Sequence, residues 1–127
     1  MDKENKVLET IEINSRIPKV NITDDGIDFN GIALCDYHSQ DCCENVYADW
    51  SAMQDYVEQI EGKKFKTLTI KAVDEMGLLL CFDDVKVLIP CHNEQNGYYS
   101  GDLELQIERD NIIKKIDVSD FVKDNIC

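Results

Sequence analysis

A chain of 127 residues is one domain's worth, and its 43% hydrophobic content is enough to form a core without a disulfide or metal. Its 26 acidic and 13 basic residues give a net charge of −13, a field that repels nucleic-acid backbones and anionic membrane surfaces. No apolar run approaches the roughly 18 residues of a membrane-spanning helix, and the charged start MDKENKVLETIEIN lacks the apolar stretch of a secretory signal, so a cytoplasmic location is expected.

In chain order, KVLETIEI alternates Val7, Glu9, Ile11 and Ile13 and predicts a strand, although its amphipathicity also permits a short helix. The first 20 or so residues read as a peripheral strand or arm of the single domain 1–127. Asn30-Gly31 then falls between GIDF and IALCDYH, and both central residues of a type I′ turn need positive φ, so this pair predicts a hairpin. DWSAMQDYVEQIEGKK predicts the main helix: Ser51 and Gln54 have capping-box spacing, Met53, Tyr56, Val57 and Ile60 form one apolar stripe, and Gly62 is a natural stop. From Phe65 the period becomes two. KTLTIKAV, GLLLCF, VKVLIP and DLELQIE predict strands, and IIKKIDV predicts a last one. The expected fold is α+β, a mainly antiparallel sheet of about six or seven strands with one main helix packed on it.

Charge is unevenly placed along this frame. Between Lys19 and Lys63 there is no Lys or Arg, while Asp24, Asp25, Asp28, Asp36, Asp41, Glu44, Asp49, Asp55, Glu58 and Glu61 are all acidic. A basic protein surface is the partner such a stretch attracts, including one that normally holds nucleic acid. Its expected contact residues are Asp24, Asp25, Asp28, Asp41, Glu44, Asp49, Asp55, Glu58 and Glu61, joined by Tyr98, which alternation turns outward while Tyr99 turns in.

Six cysteines raise two further readings. In a reducing compartment they are expected to be free or metal-bound, and adjacent Cys42 and Cys43 are poor partners for a mutual disulfide. Zinc needs four N or S ligands, and the candidates are His38, Cys42 and Cys43 from one segment with Cys91 and His92 from another. The spacing lacks the C-x2-C repeat of a zinc site, so the competing reading is packing, as it is for Cys35 and Cys81 within their apolar runs. A thiol enzyme would need Cys42 or Cys43 as thiolate with His38 or His92 as base, but Asp41 and Glu44 beside the thiols disfavour another negative charge. The paired acids Asp24-Asp25 and Asp83-Asp84 read as turn residues.

The segment YHSQDCCENVY resembles the H-x-Q-D-C-C-E-x-V-Y motif of a family of domains of unknown function from bacteriophages and bacteria, in which an N-G-Y-Y-S stretch follows, as at Asn96 to Ser100. The resemblance covers about Ile32 to Glu108 and leaves out the Cys91-His92 pair. It implies a phage or mobile-element setting and no particular reaction. The leading expectation is thus a non-enzymatic acidic interaction protein without a cofactor, able to inhibit a basic nucleic-acid-binding or defence protein. A zinc module is the alternative, and a thiol enzyme the third reading.

Overall fold

A computed structural model describes residues 5–37, 45–73, 76–94 and 103–118. Ten strands occur among the described residues, all paired antiparallel, in two five-stranded sheets. The strands are β1 (Asn5–Arg16), β2 (Val20–Ile22), β3 (Gly26–Phe29), β4 (Ile32–Tyr37), β5 (Asn45–Ala48), β6 (Lys64–Val73), β7 (Gly77–Phe82), β8 (Val85–Glu94), β9 (Glu104–Arg109) and β10 (Ile112–Asp117). The first sheet runs β1-β6-β7-β8-β5 and the second β10-β9-β4-β3-β2.

Alternation decides which side of each strand is buried. On β4, Ile32 and Leu34 are buried while Ala33 and Cys35 are only half-buried; on β9, Leu105 and Ile107 are buried between Glu104, Gln106 and Glu108. The two inner faces share one core, in which Phe82 of the first sheet meets Phe29 of the second edge-to-face at 5.4 Å between ring centroids. The Asn30-Gly31 turn forms as expected, with φ of 50° and 80° and Phe29 opposite Ile32. Asp110 and Asn111, with φ of 55° and 67°, make the equivalent turn between β9 and β10.

The mainly antiparallel architecture agrees with the sequence, while the ten strands exceed the six or seven expected. β2 and β5 are the additions the sequence did not announce, being three and four residues long. The main helix is shorter and tighter than its pattern suggests. Trp50–Tyr56 is a 3-10 helix that runs into a single α-turn, α1 (Val57–Ile60). The cap is Asp49, whose side chain accepts from the Ser51 N–H, in place of the predicted Ser51. This helical segment packs Trp50, Met53 and Ile60 into the core beside β8 and β2. No described helix is long and apolar enough to cross a membrane.

Candidate partner-binding surface

Asp36 organises one side of the molecule. It lies on β4 in phase with Ile32 and Leu34, so alternation turns its carboxylate inward, towards the start of the helical segment. One oxygen accepts the Trp50 indole N–H at 2.6 Å and the other the Ala48 backbone N–H at 3.1 Å. Burial raises its pKa above the usual aspartate value, against the lowering effect of those two hydrogen bonds. The contact fixes β5 and the 3-10 helix against β4, which brings Asp49 beside the β2–β3 turn.

That turn is the wall between two recesses. Asp24 and Asp49, with Thr23, Tyr47, Ser51 and Gln54, line a recess of about 330 Å³. Across Thr23, a smaller trough of about 130 Å³ is lined by Asp25 and Asp28 over a floor of Gly26, Ala33 and Cys35. The floor is low because β3 and β4 run close here: a Cβ on Gly26 would stand 2.0 Å from the Leu34 carbonyl oxygen. Asp28 and Ala33 continue into a third recess of about 500 Å³, which adds Glu108, Asp110 and Asn111.

Strand register explains this continuity. Asn21, Asp28, Ala33 and Glu108 lie opposite one another across β2, β3, β4 and β9, so they form one row on the outer face of the second sheet. Two strand spacings, roughly 10 Å, separate the backbones at Asp28 and Glu108. Asp49, Asp24, Asp25, Asp28, Glu108 and Asp110 therefore make an acidic belt through three adjoining recesses, and among the described residues no Lys or Arg lines any of them.

Cys35 lies under the middle of this belt. Its thiol points outward, with Sγ 4.0 Å from the Gln106 side-chain oxygen, which corrects the expectation that Cys35 is plain core. Burial first, then the charges of Asp36, Asp25, Glu108 and Glu104, raise its pKa. The thiol stays protonated at neutral pH and makes a poor nucleophile. Cys81 is buried, as expected.

The expected residues divide in space. Asp24, Asp25, Asp28 and Asp49 join the belt. Asp55 and Glu58 are exposed on the helical segment and line none of the three recesses, while Glu61 accepts the Val20 N–H at 2.8 Å and ties the end of α1 to β2. Glu108 and Asp110 enter the belt although they lie outside the Lys-free stretch. The alternating DLELQIE run marks Glu108 as solvent-facing, but only strand pairing places it beside Asp28.

Of the metal candidates, Cys91 is fully buried in the core, where burial pushes its thiol up to about 12. His92 is next along β8, on the other side of the strand, and its ring lies 5.2 Å from that of Tyr47. Cys91 and His92 thus face opposite sides of the sheet. Among the described residues no three His, Cys, Asp or Glu side chains converge as a metal site. His38, Asp41, Cys42, Cys43, Glu44 and Tyr98 lie outside the described residues. No family model, curated protein or solved structure matches the chain.

Proposed function

We propose that this chain is an acidic binding module that docks its belt on a basic protein surface, occupying the place such a surface offers to nucleic-acid phosphates. The observation that carries this reading is the row of recesses from Asp49 to Asp110, which among the described residues is lined by acidic side chains and by no basic one. Carboxylates spread along a surface attract the same Lys and Arg side chains that phosphates attract, and low local salt strengthens the approach. The phage or mobile-element setting implied by the cysteine motif makes a host defence nuclease a suitable partner class. No cofactor is needed for this activity.

The test is a titration against a Lys- and Arg-rich DNA-binding domain, with and without duplex DNA as competitor. Binding should weaken at least about tenfold as salt rises from about 50 to 200 mM, and DNA should displace the protein. The double variant Asp28→Lys with Glu108→Lys should abolish binding, whereas Asp55→Lys with Glu58→Lys, an equal change in charge off the belt, should retain most of it. Equal loss in the two variants would reduce the effect to net charge and defeat the assignment to the belt.

A further inference from the structure

Of the three recesses in the acidic belt, the one beside Asp49 differs in kind. Among the described residues it alone has aromatic side chains in its lining, Tyr47 and Trp50, and Ile22 adds a further apolar wall. The β2–β3 turn supplies Asp24 from one side, and the 3-10 helix with its cap supplies Asp49, Ser51 and Gln54 from the other. Asp24 and Asp49 are its only charged lining among the described residues. At about 330 Å³ it lies near the lower end of ligand sites, roughly 300 to 1,000 Å³, a size for one long side chain rather than a strand or helix.

The polar groups of this recess are held in place and still have bonding capacity. Asp49 Oδ1 receives both the Ser51 N–H and the Ser51 hydroxyl, which orients the carboxylate and leaves Oδ2 without a donor among the described residues. Gln54 follows Ser51 by three residues, so the two share one face of the 3-10 helix. Neither the Gln54 amide nor the Asp24 carboxylate has a hydrogen-bond partner among the described residues. Thr23, by contrast, is occupied by its own turn, where its hydroxyl receives the Asp25 and Gly26 N–H groups. The Asp36 contacts to Ala48 and Trp50 hold the walls, so the acceptors stand ready before any partner arrives. A guanidinium suits them: it is flat, weakly hydrated, carries five donors in a fixed fork and stacks on aromatic rings. An ammonium is compact and strongly hydrated, and gives up more water for fewer bonds.

We propose that this recess is an arginine socket, taking one Arg side chain of the basic partner so that its guanidinium donates to Asp24, Asp49 and Gln54 while its plane and stem lie against Tyr47 and Ile22. The assignment rests on the belt as the docking surface and adds the residue type that anchors it. Asp28, Glu108 and Asp110 attract either kind of cation; the socket selects arginine over lysine.

Titration of the full chain with capped tetra-arginine and tetra-lysine peptides of equal charge, followed by NMR, tests the proposal. Both should bind in a salt-dependent way, with tetra-arginine tighter by at least about fivefold. Its shifts should centre on Tyr47, Ser51 and the Gln54 side-chain amide. Arginine is in general the better carboxylate ligand, so the decisive comparison is between variants that each remove one negative charge from exposed side chains. Asp24→Asn with Gln54→Ala should bring the two peptides to nearly equal affinity, whereas Glu108→Gln should weaken both and keep the preference. Equal affinities for the unaltered chain, a preference that survives the double variant, or shifts centred on Asp28 and Glu108 would overturn the socket and leave the belt standing. Absence of binding by both peptides would overturn the socket, and the belt would then stand or fall on the DNA-binding domain.

Discussion

Asp36 shows how much one side chain can decide. Its carboxylate serves the Trp50 indole, on a residue only 1% exposed, and the Ala48 backbone, so removal strands two donors where water reaches poorly. Asp36→Ala should cost about 3 kcal/mol in urea denaturation, since each stranded buried donor costs about 1 to 3 kcal/mol. The pH dependence has a definite sign. Burial raises the folded-state pKa above the unfolded value of about 3.9, so the folded chain takes up this proton first as pH falls. Stability linked to Asp36 is therefore fullest below the unfolded value and is lost as pH rises through the folded one. Across that window wild type should gain stability relative to Asp36→Asn as pH is lowered, and parallel profiles for the two proteins would contradict the assignment. Nothing in the sequence singles out Asp36 among the ten acids between Lys19 and Lys63, because its inward direction follows from strand phase and its partners come from β5 and the 3-10 helix. The separation of Cys91 from His92, by contrast, follows from adjacency on a strand once VKVLIP is extended to Glu94.

The elements the sequence announced are those whose signal is long or chemically specific. Asn-Gly forced one hairpin, alternation marked β6, β8 and β9, and the unbroken apolar run from Leu78 to Phe82 marked β7. The helical segment is the instructive difference. Trp50, Met53 and Tyr56 recur every three residues, which suits a 3-10 helix, while the four-residue steps from Met53 to Val57 and from Tyr56 to Ile60 suit an α-turn. A stripe counted from Met53 onward looks α-helical because Met53, Tyr56, Val57 and Ile60 fall at i, i+3, i+4 and i+7. The cap was equally ambiguous, since Asp49 and Ser51 are both good capping residues. Asp49 prevails because its side chain receives both the Ser51 N–H and the Ser51 hydroxyl, while its own N–H is held by the Pro90 carbonyl at 2.7 Å. Asp49→Ala should thus destabilise the chain by about 1 kcal/mol, read from the urea midpoint, with Ser51→Ala costing less. β2 and β5 escaped notice because three or four residues carry too few periods to stand out. They matter to the candidate surface all the same, since Ile22 and Ala48 form part of the first recess.

At the scale of the molecule, the lysine-free stretch was visible as a charge bias, but its shape was not. Folding divides it between the belt and the exposed helical acids and brings in Glu108 and Asp110 from the distant β9–β10 hairpin. Such crowding has a thermodynamic consequence, because a net charge of −13 repels itself more in the compact chain than in the unfolded one. The Debye length falls from about 30 Å at 0.01 M salt to about 8 Å at 0.15 M, so repulsion between separate parts of the belt is screened over this range. If screening recovers about 1 kcal/mol, the melting midpoint should rise by about 4 °C for a chain of this length. Sodium chloride is the suitable salt, since sulfate would also strengthen apolar burial. Asp28→Lys with Glu108→Lys places positive charge within the acidic row and should raise the midpoint at low salt while flattening its salt dependence. A belt whose charges repel in the free protein is one that a basic partner relieves on binding, so the same double variant should lose partner affinity as it gains stability. A variant that loses stability at low salt would show that these acids are held by compensating contacts, and it would remove the electrostatic basis for reading the belt as a binding surface.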